Sequence, residues 1–137
     1  MSDAFDSVHY LAIGLGFLAF AVLGYLWFAV LFPRAYNLSL GRAADAPPRQ
    51  EPIFLAGPAV TGLVISIALA LLISALDITS AGEALLFAVV TGVGLLAANT
   101  TNIAINPNFP HPLRYAAISG SYNLIAVIVV SLLNIWV

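Results

Sequence analysis

The chain has 137 residues, 62% of them hydrophobic and 7% charged, which is more apolar surface than a soluble domain of that length can bury. A formal charge of −2 with no lysine argues against nucleic acid and polybasic lipid recognition. The lack of cysteine excludes disulfides, thiolate nucleophiles and Cys-ligated clusters.

Charge sits in gaps. No acidic or basic side chain except His9 lies between Asp6 and Arg34, and none lies between Glu51 and Asp77. Only His111 lies between Glu83 and Arg114, and none follows Arg114. A helix rising about 1.5 Å per residue crosses about 30 Å of hydrocarbon in roughly 20 residues, so each run is long enough to span a bilayer. The expected fold is all-α: a four-span transmembrane helix bundle with short loops, one domain, with spans at about residues 8–32, 53–76, 83–105 and 114–136.

The first span should end at Pro33. It does not read as a cleavable signal peptide, because Asp3 and Asp6 flank it in place of Lys or Arg and it is too long for an h-region. The segment from Pro33 to Pro52 carries Arg34, Arg42 and Arg49, and the pair Pro47–Pro48 points to an irregular or partly interfacial loop. Pro52 suits the first position of the second helix. That helix bears small residues at every fourth position, Gly62, Ser66, Ala70 and Ser74, a ridge that lets a neighbouring backbone approach. Ala12, Gly16 and Gly24 give the first span a rougher version. Packing within the chain is the expected use of the ridge, and a partner subunit is the alternative.

Ser80 with Glu83 three residues on matches a capping box, so the third helix should start near Ala81. Its Asn99, Asn102 and Asn106 fall at i, i+3 and i+7, on one stripe with Gly92, and should face the bundle. The segment Asn106-Pro-Asn-Phe-Pro-His-Pro112 stops this helix. The fourth span answers with Ser119, Tyr122 and Asn123. Two readings of these polar groups stand side by side: hydrogen bonds between helices, and a polar half-cavity lined by Asn99, Asn102, Tyr122 and Asn123. The echo of Gly14, Gly16, Leu18 and Ala19 in Gly92, Gly94, Leu96 and Ala97 is too common in membrane helices to establish a duplication.

Since short arginine-bearing loops stay cytoplasmic, the loops holding Arg34, Arg42, Arg49 and Arg114 should lie inside. Both termini and the turn from Asp77 to Glu83 should then lie outside an inner (plasma) membrane. The half-cavity would open to the cytoplasm. No Asp, Glu, Lys or Arg lies within a span, which argues against a proton-coupled transporter. His9 and His111 are expected at opposite ends, where they cannot share a metal. No metal, cofactor or catalytic group is expected.

Several stretches resemble one family. Gly24-Tyr-Leu-Trp27-Phe, then Leu31-Phe-Pro-Arg34-Ala-Tyr36, is similar to the end of the first helix in the small bacterial membrane proteins of domain of unknown function 1761. So are Asn102, Asn106, Phe109, Pro112-Leu113, Ile118, Gly120-Ser-Tyr122-Asn123-Leu124 and Ile135-Trp136. The chain departs from that pattern at Pro33 and Tyr36, where Gly and Trp are usual. The resemblance implies four spans and brings no activity with it. The expected role is non-enzymatic: a helix-packing or accessory subunit, surrounded by membrane lipid, in a homo-oligomer or larger membrane complex. The alternative is a carrier or channel for a small neutral solute.

Overall fold

A computed structural model of the protein describes Asp6 and residues 8–137. Asp3, on the flank of the first span, lies outside the described residues. From Tyr10 on, the described residues form five helices in order: α1 Tyr10–Leu31, α2 Pro33–Ser39, α3 Ile53–Ala75, α4 Ala81–Ala104 and α5 Pro112–Trp136. All but α2 are long and apolar enough to cross a membrane, and there is no strand among the described residues. The fold is the expected four-span helical one.

The helix ends follow from local chemistry. Ser80 Oγ accepts from the Glu83 backbone N–H while the Glu83 carboxylate accepts from the Ser80 N–H, which closes the capping box at the start of α4. α3 ends in a Schellman turn: the Ile78 N–H reaches the Ile73 carbonyl over 3.1 Å, with Asp77 at φ 53° in the left-handed position. Pro33 opens a new helix, because its missing N–H is no loss in the first turn of α2. Pro52 caps α3 from just outside it.

The loop after α2 is more ordered than its prolines suggest. Buried Asn37 donates to the Ala44 and Ala46 carbonyls and accepts from Arg42 Nη1, while Arg42 Nη2 donates to the Pro47 carbonyl at 2.7 Å. One asparagine and one arginine thus satisfy three carbonyls of a segment whose own backbone adds a bond from the Ala46 N–H to the Ala43 carbonyl.

α5 is the hub. It packs against α1, α3 and α4 and touches α2, α1 also packs on α3, and α4 leans chiefly on α5. Phe20, Leu69, Ala88, Ala126, Val127 and Val130 form the core. In lipid, helices associate by close packing, and small residues allow it. A Cβ on Gly62 would lie 3.2 Å from Phe20, and one on Gly16 would lie 3.2 Å from Ser66 Oγ. The Ser66 hydroxyl itself donates back to the Gly62 carbonyl.

Two turns depart from the α form. Leu26–Leu31 in α1 and Gly92–Ala97 in α4 are π-helical, as the Phe32 N–H bond to the Trp27 carbonyl shows. A π turn inserts one residue and rotates everything after it. Before the insertion the buried face of α4 reads Ala84, Ala88, Thr91 and Gly92, and after it the inward residues are Ala97, Thr100, Thr101 and Ala104. Asn99 and Asn102 are therefore turned out to the surface. The 3.6-residue period that put them on the Gly92 stripe holds only for an uninterrupted helix.

Candidate functional site

Both π turns flank the same stretch of α5, from Ile118 to Val127. On one side, the Trp27 indole N–H donates to the Ile118 carbonyl at 2.9 Å and the Tyr122 hydroxyl donates to the Phe20 carbonyl at 3.0 Å. α1 and α5 therefore each send a side chain to the other's backbone. Gly24 makes the second bond possible, since a Cβ there would sit 3.2 Å from the Tyr122 oxygen. On the other side, Gly92 admits Leu124, and Gly120 lets Ala97 approach. Asn123 Nδ2 donates to Thr100 Oγ1 at 2.8 Å across the α4–α5 contact. Ser119, one turn earlier on α5, is buried and its hydroxyl has no partner among the described residues.

The six polar residues singled out in the sequence do not line one cavity. Tyr122 and Asn123 are half-buried on different sides of α5, each already bonded, and Ser119 is buried. Asn99 and Asn102 are exposed. Asn106 closes the loop after α4, donating to the Ile103 carbonyl and accepting from the Asn108 N–H. On the ridge, Gly62, Ser66 and Ala70 are buried, with Gly62 and Ser66 against α1, and Ser74 is half-buried nearer the Asp77 turn. Sequence reasoning misses Thr100 and Asn37, which carry no visible signal. It marks Gly24 as a small packing residue of the first span and Trp27 through the resemblance, without tying either to α5.

An aromatic file runs along the α1–α2–α5 seam: Phe109 against Tyr115, Tyr115 against Tyr36, Tyr36 against Phe28, Phe28 against Tyr122, and Tyr122 against Phe20. The ring centroids are 4.7 to 6.4 Å apart. Burial pushes the Tyr36 phenol up to about 12, with the neighbouring Tyr115 adding to the rise and Arg42 opposing it. The file fastens α2 and the loop before α5 to the bundle at the arginine-bearing end, where an aromatic belt is expected.

At the opposite end a cavity of about 300 Å³ lies between the start of α1 and the ends of α3 and α5. His9, Ser74, Asp77, Thr79 and Asn134 give it a polar rim, and Ile73, Ile78 and Ile135 an apolar wall. His111 lies at the other end of the molecule. Among the described residues no three His, Cys, Asp or Glu side chains come together as metal ligands.

The family model described as Protein of unknown function (DUF1761) matches residues 11–135, which takes in every helix but the first residue of α1 and the last of α5. The chain belongs to this family. Of the DUF1761 segments that carried the resemblance, the Gly24–Trp27 stretch of α1 and the Ile118–Tyr122 stretch of α5 meet in the two-way clasp, with Phe20 supplying the carbonyl that Tyr122 reaches. The departures at Pro33 and Tyr36 fall on α2, where Pro33 starts the helix and Tyr36 joins the aromatic file. No curated protein and no solved structure matches the chain.

Proposed function

We propose that this DUF1761 protein is a non-enzymatic structural subunit of a membrane assembly, a scaffold against which further transmembrane helices pack. The observation that carries the reading is the first half of α3. From Ile53 to Thr61 every residue but half-buried Gly57 is exposed, so this stretch stands away from its own bundle on all sides. The outer face of α4 is likewise bare. A helix in lipid gains no hydrophobic energy from association, so surfaces left open by the fold are available for packing with other helices. The Thr61 hydroxyl already bonds the Gly57 and Pro58 carbonyls, which leaves this stretch apolar in character.

The rival reading, a carrier for a neutral solute, loses the half-cavity on which it stood, since Tyr122 and Asn123 are bonded and Asn99 and Asn102 face outward. Its support moves to the cavity bounded by His9, Asp77 and Asn134. Extraction into native nanodiscs at natural expression, followed by intact mass measurement, tests the two. The expected result is a particle whose protein mass exceeds the 14.4 kDa of one chain. A single chain per disc, together with solute-dependent thermal stabilisation that Asn134→Leu abolishes, would overturn the scaffold in favour of the carrier.

A further inference from the structure

Asn99 and Asn102 present a problem that the fold of one chain does not solve. Both lie within the α4 span, Asn99 about 7.5 Å short of its end at Ala104 at 1.5 Å per residue. Both are exposed, and neither carboxamide bonds to a described residue. They point outward because the π turn at Gly92–Ala97 rotates them off α5 and brings Thr100 inward in their place. π turns are rare and concentrate at functional sites. A polar amide facing hydrocarbon is costly unless another polar group meets it.

We infer that this face of α4 is the contact between two copies of the chain, with Asn99 and Asn102 of one copy bonded to those of the other. The inference rests on the scaffold reading and names its partner. Two copies in one membrane share one orientation, so a two-fold axis lies along the membrane normal and each residue of α4 meets its counterpart at equal depth. Such a contact requires side chains that complement themselves. A carboxamide does, having both a donor and an acceptor, and no acidic or basic residue lies between Glu83 and His111 to repel its copy.

The backbone allows the approach. Ala98 and Gly94 stand one and two turns before Asn102 on the same exposed line, and a Cβ on Gly94 would meet nothing within 4 Å in this chain. Helices that pack along such a line of every fourth residue cross at one point and diverge beyond it. With the crossing at Gly94–Ala98, the two Glu83 carboxylates lie about 17 Å from it along each helix, on diverging arms.

The chain has no native cysteine, so single-cysteine variants report cleanly. Ala98→Cys and Asn102→Cys, oxidised in membranes, should each give a covalent dimer of this chain, while Phe54→Cys and Val60→Cys on α3 should not. Joint replacement Asn99→Leu and Asn102→Leu should lower the dimer fraction about tenfold by removing the bonded carboxamides, and joint replacement by Gln should retain it. Helix content measured on each variant separates loss of contact from loss of fold. Dimers formed only through the α3 cysteines, or a heavier particle with one copy of this chain, would overturn the α4 contact and leave the scaffold standing. Single chains throughout would overturn both.

Discussion

Glycine 24 and tyrosine 122 show how one atom decides a helix contact. The Tyr122 hydroxyl reaches the Phe20 carbonyl through the space where a side chain on Gly24 would begin. Gly24→Ala should therefore cost about 1 kcal/mol, the worth of the displaced hydrogen bond. With Tyr122→Phe as background the same change should cost far less, because the nearest remaining ring atom is 3.7 Å from the new Cβ, an ordinary contact. Thermal unfolding of the four proteins in detergent measures the coupling, and strictly additive costs would refute it. Tyr36 supplies a pH test. Its phenol is raised from 10.0 to about 12 by burial, so the folded chain holds the proton more firmly than the unfolded one. That contribution is complete below pH 10 and is lost as pH rises from 10 towards 12. The unfolding midpoint should fall over that range, and Tyr36→Phe should flatten the fall.

Among the elements, the long helices are legible in the sequence and their faces only partly so. Charge gaps, the Ser80–Glu83 box and the prolines after Ile105 locate all four long helices to within about two residues, since length and charge in a bilayer leave few choices. Small residues on α3 mark its packing face for a similar reason: Gly62, Ser66 and Ala70 line up only if the helix is regular, and it is. α4 is not regular. Nothing in Gly-Val-Gly-Leu-Leu-Ala declares a π turn, because the extra residue is held by the fit of Gly92 against Leu124 and of Gly120 against Ala97, which are distant in sequence. The echo between the halves does not reveal it either, for it pairs Gly92 with Gly14 while the π turn of α1 starts at Leu26. An asymmetry between deletion and insertion follows. Deleting Leu95 should let the π turn relax to α form while Thr100 and Ala104 still face α5, with little loss of stability. Inserting one alanine after Leu95 should turn both away and break the Asn123–Thr100 bond, lowering the unfolding midpoint. Equal effects of deletion and insertion would show that the π turn does not set the register.

For the whole molecule, the arrangement of loops makes orientation an all-or-none property. The loop after α2 and the loop before α5 touch: Gly41, at φ 71°, lies close enough that a Cβ would come within 2.9 Å of Pro110, and Tyr36 stacks near Tyr115. All four arginines are therefore carried at one end, and the turn from Asp77 to Glu83 lies at the other with the end of α5. A chain with arginine-bearing loops on one side and none on the other should insert with the arginines in the cytoplasm. Single cysteines at Ser80 and Val137 should then react with a membrane-impermeant thiol reagent in intact cells, and one at exposed Ala43 should react only after the membrane is opened. Reaction at Ala43 alone would invert the orientation and keep the fold. Reaction at both Ala43 and Ser80 would be more serious, because α3 could not then cross the membrane between them in every molecule. The population would have to contain both orientations, which four arginines at one end and none at the other should prevent.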